Sequence, residues 1–325
     1  MNDLQQYNEA FRAFLQSLNP AQQRAVELTE GPVLVIAGPG TGKTHILTAR
    51  IGNILLRTDA RAQNVLCLTF TDAGVSAMRQ RLLERIGPEA HRVPIFTFHA
   101  FCNRVIQENP EYFGKGNLEP LSELERIDMV RQMLVKLPPE HPLREGRKDV
   151  FQFEDHLRDL FNTMKKEGWT PGFVLKRCDE YINGLPSNPD FIYKVKTKNA
   201  GKGDLKVAQI EEVTQKMTRL KAAADLYPKY QQMLERSGRY EYEDMLLWVT
   251  KAFGKNEALL RGYQERYQYV LVDEFQDTNG AQFQLLNQLL DYWEIPNIFI
   301  VGDDDQSIFE FQGARLENLL RFHAQ

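Results

Sequence analysis

The sequence predicts an α/β protein in which a parallel sheet lies between layers of helices, and in which an all-helical subdomain interrupts the sheet-forming part. Short runs of almost continuous Val, Ile and Leu alternate with amphipathic segments near both ends of the chain. Strands without polar alternation are typical of sheets that are covered by helices on both faces. Between about residues 109 and 238 the strand pattern disappears, and helical periodicity with Pro- and Gly-rich loops replaces it.

Composition limits the possible classes of protein. The 325 residues suffice for about two domains. A net charge of −4 excludes a generally cationic nucleic-acid-coating protein, so any nucleic acid must bind in a local groove. The three cysteines, Cys67, Cys102 and Cys178, form no C-x-x-C pair, which excludes a disulfide scaffold and a zinc ribbon and fits a reducing cytosol. A polar start and the lack of an apolar run of ~20 residues predict a cytoplasmic protein with neither signal peptide nor membrane span.

The sheet-forming part follows an N-terminal helix. Residues 3–18 place apolar side chains at three- and four-residue steps, as one face of a helix packed on the next domain requires. Alternation of strands and helices after that predicts right-handed crossovers. The predicted strands are Val33–Ala37, Val65–Phe70, Val93–Thr97, Tyr269–Asp273 and Asn297–Val301. The predicted helices between them are Lys43–Arg57, Ala73–Ile86, Phe98–Glu108 and Ala281–Leu290.

The central stretch is predicted to be an inserted helical subdomain, since the sheet pattern resumes after it. Ser122 and Glu125 form a capping-box pattern at a helix start, and Pro228 should kink or restart a later helix. Further helical segments cover about 150–167, 171–183 and 205–236. A lysine-rich stretch at 194–206 suits a phosphate backbone or a solvated loop, of which the loop is favoured. The predicted domains are therefore 1–108 and 239–325 for the α/β part and 109–238 for the insert.

A glycine-rich loop between the first strand and its helix predicts a phosphate site. Glycines let successive N–H groups surround an anion, and the helix N-terminus adds partial positive charge. Lys43 is placed to reach the β- and γ-phosphates, and the Thr44 hydroxyl to reach Mg²⁺. Ala37 replaces the glycine of the strict pattern at the start of the turn, where a methyl group is tolerated. The loop consists of Ala37, Gly38, Pro39, Gly40, Thr41, Gly42, Lys43 and Thr44.

Two carboxylates at the end of a later strand indicate hydrolysis. Asp273 and Glu274 follow the apolar run 269–272, where charge is costly unless it serves a cation. Asp273 suits Mg²⁺ coordination beside Thr44, and Glu274 is placed to orient and deprotonate an attacking water. A phosphate-transferring kinase would not need this second acid, so the pattern favours a hydrolase.

A further strand contributes a third group to the same predicted edge. Residues 302–307 read Gly-Asp-Asp-Asp-Gln-Ser after the strand that ends at Val301. Neighbouring parallel strands present their carboxyl ends together, where ligands bind. Gln306 is therefore a candidate to contact the γ-phosphate. A calcium loop is disfavoured, because the EF-hand spacing is absent.

Together these motifs resemble the UvrD/Rep/PcrA-type superfamily 1 DNA helicases, in their N-terminal portion. Six segments occur in the order found in that family. They are Leu18-Asn-Pro-Ala-Gln-Gln, Ala37-Gly-Pro-Gly-Thr-Gly-Lys-Thr, Leu68-Thr-Phe-Thr-Asp, Thr97-Phe-His, Val272-Asp-Glu-Phe-Gln-Asp-Thr and Val301-Gly-Asp-Asp-Asp-Gln-Ser-Ile. The resemblance covers nearly all of the α/β part, whereas the helical insert matches more in position than in residues.

The resemblance implies a RecA-like P-loop NTPase domain that uses Mg²⁺ and ATP to translocate along single-stranded DNA, 3′ to 5′, and to unwind duplexes. Gln22 would recognise adenine, because an amide donates to and accepts from one purine edge. DNA would be a single strand or a single/double-strand junction. Stacking of bases on aromatic rings contributes ~1–3 kcal/mol per base. The residues expected to contact DNA are Phe70, Thr71, Thr97, Phe98, His99 and Phe311.

The family's remaining motifs do not appear after Gln306, so we expect a fragment whose second, C-terminal RecA-like domain is missing and which is largely inactive alone. One alternative is a degenerate nucleotide-gated DNA-binding module. It is favoured by His45, Asp72 and Gln312, where the family often has Arg, Asn and Arg. A subunit of a helicase–nuclease is a second alternative. A P-loop kinase or GTPase-like switch is disfavoured, since it explains neither Glu274 nor Gln306.

Overall fold

The computed structural model describes residues 3–38, 41–114, 118–144, 149–196 and 200–303. These residues divide into two units. One contains the described residues up to Gly114 and from Tyr242 onwards, and the other contains those between 115 and 241. The sequence places the corresponding boundaries at 108/109 and 238/239.

The strands of the described residues form one sheet in each unit. They are β1 (Val33–Ile36), β2 (Val65–Thr69), β3 (Ile95–Thr97), β4 (Glu119–Pro120), β5 (Arg239–Tyr240), β6 (Tyr269–Val272) and β7 (Ile298–Gly302). In the first unit five parallel strands of the described chain pair in the order β1-β7-β6-β2-β3. All five carboxyl ends therefore lie at one edge, and the predicted parallel α/β fold class is confirmed.

Helices surround these strands and also make up most of the second unit. In chain order, those of the described residues are α1 (Asp3–Ser17), α2 (Pro20–Glu27), α3 (Lys43–Arg57), α4 (Asp72–Ile86), α5 (Phe98–Glu108), α6 (Pro110–Phe113), α7 (Glu123–Val135), α8 (Glu154–Glu167), α9 (Pro171–Gly184), α10 (Val207–Ala224), α11 (Tyr227–Arg236), α12 (Tyr242–Lys255), α13 (Glu257–Arg266) and α14 (Gly280–Leu290). The bounds predicted for α3 and α5 agree with the structure. α12 and α13 occupy a stretch for which the sequence analysis made no prediction.

The core of the first unit joins α1, α3 and the sheet. Every residue of β2, β6 and β7 is buried, as their continuous apolar sequences predict. α1 packs directly on α3, where a Cβ on Gly52 would lie 2.3 Å from the ring of Phe11. A side chain at position 52 would therefore push α1 away. The predicted N-terminal amphipathic helix thus has its apolar face against the α/β unit.

The second unit has a separate helical core that includes Phe161, Met164 and Tyr230. Ser122 and Glu125 form the predicted capping box at the start of α7. Pro228 lies in the first turn of α11, so it restarts a helix after α10 ends, as expected. The sequence predicts no strands here, yet β4 and β5 pair in parallel where the chain enters and leaves the unit. Two-residue strands have no detectable periodicity, which explains the error.

Candidate functional site

The described part of the phosphate loop is tied to the end of β7. The N–H of Ala37 donates to the carbonyl oxygen of Gly302 at 2.9 Å. Thr41 Oγ1 donates to the carbonyl of Gly38 at 2.7 Å, which closes a turn. Gly42 precedes α3 with φ +87°, a left-handed conformation in which a side chain is strained. Pro39 and Gly40 lie outside the described residues.

The ends of two adjacent strands meet at the ammonium group of Lys43. Its Nζ lies 3.2 Å from Glu274 Oε2, beyond β6, and 3.3 Å from Asp303 Oδ2, beyond β7. The Lys43 side chain is 10% exposed, that of Glu274 35% and that of Asp303 0%. The predicted loop lysine and the second acid therefore lie together, with Asp303 as a third member. Gln306 is outside the described residues.

Glu274 is held in an unusual backbone conformation. Its φ of +50° makes it the one non-glycine with positive φ among the described residues. Such a conformation costs about 1–3 kcal/mol and is concentrated at functional sites. Gln276 Nε2 donates to Glu274 Oε2 at 2.6 Å, and Gln276 Oε1 accepts the N–H of Asp303 at 3.0 Å. Gln276 thereby links the ends of β6 and β7 and fixes the carboxylate.

Sequence reasoning assigned no role to Gln276 or Asp303. Both lie inside the quoted motifs, Gln276 two residues after Glu274 and Asp303 three residues before Gln306. The sequence signal for Gln276 was a side-chain amide in the turn after a buried strand. An amide there can accept one hydrogen bond and donate another at the same time. That signal does not say which partners the amide meets, because the adjacent strand lies far along the chain.

Asp273 is buried, and its pKa is raised. Its side chain lies at the end of β6, and its N–H donates to the carbonyl of Leu68 at 2.9 Å. Burial, followed by the charge of Glu274, raises its pKa to about 6, against the lowering effects of the Glu274 N–H, Lys43 and Arg81. The pKa of Asp277 is also raised, by burial first and by Glu274 second. Several carboxylates thus share one nearby lysine.

This excess of carboxylate oxygen fits a hard divalent cation such as Mg²⁺. Thr44 follows Lys43 in the first turn of α3 and is half-buried. Within the described ranges, no group of three or more His, Cys, Asp or Glu side chains forms a metal site. A cation here would therefore need oxygen atoms from Thr44 and from a bound phosphate in addition to Asp273.

Gln22 lies next to the phosphate loop. It belongs to the first turn of α2, where it forms a capping box with Asn19. Its Nε2 donates to the carbonyl of Thr41 at 3.2 Å, and its side chain is half-exposed. The amide predicted to recognise adenine is therefore in contact with the loop predicted to hold the phosphates.

The residues predicted to contact DNA fall into two groups. Phe70 is 41% exposed after β2, and Thr71 is exposed while its Oγ1 accepts the N–H of Gly74 and caps α4. Thr97 caps α5 in the same way through the N–H of Ala100. Because β2 and β3 are neighbours in register, these two helix N-termini lie side by side at one edge of the sheet.

The remaining members of the set differ in exposure. Phe98 is 2% exposed, so its ring presents no face to a base, which corrects the expectation for this residue. Phe98 is the first residue of α5 and is one of the residues by which this helix packs into the protein interior. His99 is half-buried. Phe311 lies outside the described residues.

No helix in the described part of the chain is both long and apolar enough to cross a bilayer.

Comparison with known proteins gives the family. A probable DNA helicase II homolog of Rickettsia conorii is 33% identical over 309 residues, which is 95% of this chain and 40% of that protein. The ATP-dependent DNA helicase PcrA of Bacillus subtilis is 30% identical over 309 residues, 95% of this chain and 36% of its own length. The chain thus spans about two fifths of these relatives. The family model for the UvrD/REP helicase N-terminal domain matches residues 18–325, and the chain belongs to this family.

Proposed function

We propose that this chain is the ATP-binding half of an ATP-dependent DNA helicase. The observation that carries the proposal is the position of Lys43, whose ammonium lies between the carboxylates of Glu274 and Asp303 at the ends of adjacent parallel strands. A triphosphate bound in the glycine-rich loop would give this ammonium a third anionic partner. The relatives named above are DNA helicases, and PcrA is named as ATP-dependent, which supports the same conclusion.

Each nucleotide-site residue has a distinct proposed task. The loop from Ala37 to Gly42 surrounds the phosphates, and Lys43 binds the β- and γ-phosphates. Thr44 and Asp273 hold Mg²⁺, which neutralises phosphate charge when bound. Glu274 orients the attacking water and accepts its proton. Gln306 contacts the γ-phosphate, and Gln22 recognises adenine.

The DNA strand is proposed to lie across the N-termini of α4 and α5. Thr71 and Thr97 occupy the caps, where free N–H groups and the helix dipoles favour phosphate. Phe70 is the exposed ring on which a base stacks. Single-stranded DNA, a single/double-strand junction, 3′-to-5′ movement and a cytoplasmic location belong to the same proposal.

A second, C-terminal RecA-like domain is also part of the proposal. Arginines supplied across a nucleotide cleft accelerate phosphoryl transfer by about 10³–10⁵. The 325-residue chain by itself is therefore expected to bind MgATP weakly and to hydrolyse it little. A DNA-stimulated turnover of several per second by this chain would overturn that expectation.

Binding of MgATP tests the nucleotide site directly. Isothermal titration of the chain should show that Lys43→Ala weakens MgATP binding by at least about tenfold, since a charge-assisted contact of about 1.5–3 kcal/mol is lost. Lys251→Ala is the matched control, because Lys251 is an exposed lysine of α12 in the same unit. Equal affinity of the Lys43 variant and the control would refute the phosphate-binding role.

The role of Glu274 is tested in a longer protein that includes the proposed C-terminal domain. Glu274→Gln should retain MgATP binding and lose turnover. Loss of binding to the same extent would remove Glu274 from the role of general base. Absence of hydrolysis in the unmodified longer protein would instead favour the nucleotide-gated DNA-binding module.

The DNA contact is tested with a fluorescent single-stranded oligonucleotide. Phe70→Ala should weaken binding by about 5- to 100-fold, from the loss of one stacked base. Tyr292→Ala is the control, because Tyr292 is 40% exposed near the opposite edge of the sheet, before β7. Equal binding by both variants would refute stacking on Phe70.

A further inference from the structure

Two buried side chains attach the short helix α2 to the middle of α3. Arg50 is 1% exposed, and its Nη1 lies 3.3 Å from the carbonyl oxygens of both Ala25 and Val26. Asn53, one turn later and also 1% exposed, donates through Nδ2 to the Val26 carbonyl at 2.8 Å. The carbonyl groups in the last turn of a helix receive no hydrogen bond from N–H groups of that helix. Here Arg50 and Asn53 of α3 supply the missing donors.

No carboxylate of the described residues is among the groups that influence the pKa of Arg50. Burial lowers its pKa to about 10, and the one opposing influence is Tyr269, so the group remains cationic at neutral pH. Its guanidinium lies 5.1 Å from the centre of the Phe299 ring on β7. An apolar side chain would fill this space without the desolvation penalty of a buried charge. What an apolar side chain could not do is hold the negative end of α2.

The other end of α2 contacts the phosphate loop. Gln22 Nε2 donates to the carbonyl of Thr41, two residues before α3 begins. The adjacent Gln23 points elsewhere, because its Nε2 donates to the carbonyl of Leu18 at 2.9 Å. α2 is thus attached at both ends to one continuous segment, the loop and α3. An eight-residue helix has little stability of its own, so these attachments decide its position.

We propose that Arg50, with Asn53, is a positioning residue for adenine recognition, acting through Gln22. The inference rests on the proposed function, in which Gln22 meets the base and the loop meets the phosphates. The base and the phosphates belong to one molecule. Gln22 and the phosphate loop can therefore bind them together, without further ordering of the protein, only if the distance between Gln22 and the loop is fixed before the nucleotide binds. The clamp on the Ala25 and Val26 carbonyls fixes that separation.

The test compares MgATP with inorganic tripolyphosphate, which lacks the base and ribose and binds the phosphate loop alone. Both are titrated calorimetrically into the 325-residue chain in the presence of Mg²⁺. Arg50→Met should weaken MgATP binding by about tenfold and leave tripolyphosphate binding within about twofold. The ratio of the two affinities is a readout that general destabilisation does not move.

Arg79→Met is the matched control. Arg79 of α4 also clamps backbone carbonyls in the same unit, with Nη1 at 3.1 Å from Ala90 and 3.3 Å from Val93. Its loss should lower stability without changing the affinity ratio. Arg50→Lys keeps the positive charge, so its ratio of MgATP affinity to tripolyphosphate affinity should lie between those of Arg50→Met and the unmodified chain. If Arg50→Met does not fold, Asn53→Ala removes the shortest bond of the clamp and should lower the ratio by about threefold.

Gln22→Ala distinguishes a failure of the adenine role of Gln22 from a failure of the positioning role of Arg50 and Asn53. If this variant leaves the affinity ratio unchanged, the adenine role of Gln22 in the proposed function is wrong. If it lowers the ratio while Arg50→Met and Asn53→Ala do not, the positioning role alone is wrong. The double variant of Gln22 and Arg50 should match Gln22→Ala. An equal fall of the ratio in Arg79→Met would also overturn the positioning role.

Discussion

Each unit contains a lysine whose ammonium pairs with carboxylate oxygen, and the two sites differ in their balance of charge. In the α/β unit Lys43 meets Glu274 and Asp303, with Asp273 close by in sequence. In the helical unit the Lys165 side chain is 0% exposed and pairs with Glu241, which Arg126 also approaches at 2.7 Å. Carboxylates outnumber cations at the first site, and cations outnumber the carboxylate at the second.

We interpret this difference as that between the proposed binding site and a structural anchor. At Glu241 the hydroxyl of Tyr230 adds a hydrogen bond of 3.0 Å, and Lys165 Nζ lies 5.5 Å from the centre of the Tyr230 ring. Glu241 ends the second unit directly after β5, so the anchor holds the exit of the chain from the helical core. At Lys43 the surplus negative charge and the one-third exposed Glu274 leave room for a cation and a phosphate.

Removal of Lys165 should have the largest effect on stability. Lys165→Met leaves the buried carboxylate of Glu241 with one fewer cation, so the free energy of unfolding should fall by about 3–5 kcal/mol. Lys43→Met should lower it less, because Glu274 can regain water. Denaturant unfolding followed by circular dichroism measures both, with the half-buried Lys166→Met as a control expected within about 0.5 kcal/mol. An equal fall in the Lys43 and Lys165 variants would contradict the distinction.

Removal of the negative charge of Asp273 at the first site should stabilise the protein. The folded-state pKa of Asp273 is about 6 against an ordinary 3.8, so the folded protein binds this proton more tightly than the unfolded chain does. The ionised carboxylate of Asp273 therefore destabilises the folded protein. This destabilisation reaches its full size above pH 6 and disappears as the pH falls below 4. Asp273→Asn, which mimics the protonated acid, should therefore stabilise the magnesium-free protein by about 2–3 kcal/mol at pH 8 and by about half as much at pH 5.

The control for this prediction is Asp291→Asn. Asp291 is an exposed aspartate at the end of α14, so its replacement should change unfolding little at either pH. Stabilisation of the Asp273 variant that is the same at pH 8 and pH 5 would show that the gain does not come from the carboxylate charge.

The smallest expected effect concerns the link between the two strand ends. Gln276→Leu leaves the buried N–H of Asp303 without its acceptor and releases Glu274, so stability should fall by about 1–2 kcal/mol. Gln264→Leu is the control, because Gln264 is similarly buried and donates to the Gln288 carbonyl at 2.6 Å away from the strand ends. In MgATP titrations the Gln276 variant should lose affinity and the control should not. Equal affinities would limit Gln276 to a structural role.

Much of the α/β unit was predictable because its signals are local. The bounds of α3 and α5 follow from strand ends, caps and apolar periodicity, all of which lie within a few residues. The loop lysine and the acid pair were found through residue type and position after a strand. The short strands β4 and β5 were missed, because two residues have no period and their pairing joins positions about 120 residues apart.

Predictions about side-chain exposure were less successful, since exposure depends on packing between distant elements. Phe70 and Phe98 both follow a strand and both occur in quoted motifs. Phe70 is 41% exposed and Phe98 is 2% exposed. The sequence contains no local difference that decides this, because the outcome depends on what the helix after each strand packs against.

The sequence by itself determined the strands of the five-stranded sheet, the phosphate loop and the acids at the strand ends, since these depend on local backbone preference and on the chemistry of single residues. Only the tertiary structure decided the strand order β1-β7-β6-β2-β3, which brings Lys43 against Asp303, and the packing of α3 on α2, which brings Arg50 to the Val26 carbonyl. The physical reason is that burial and ion pairing join residues that are distant in the chain. Which of them meet depends on how whole strands and helices pack, and no short stretch of sequence contains that information.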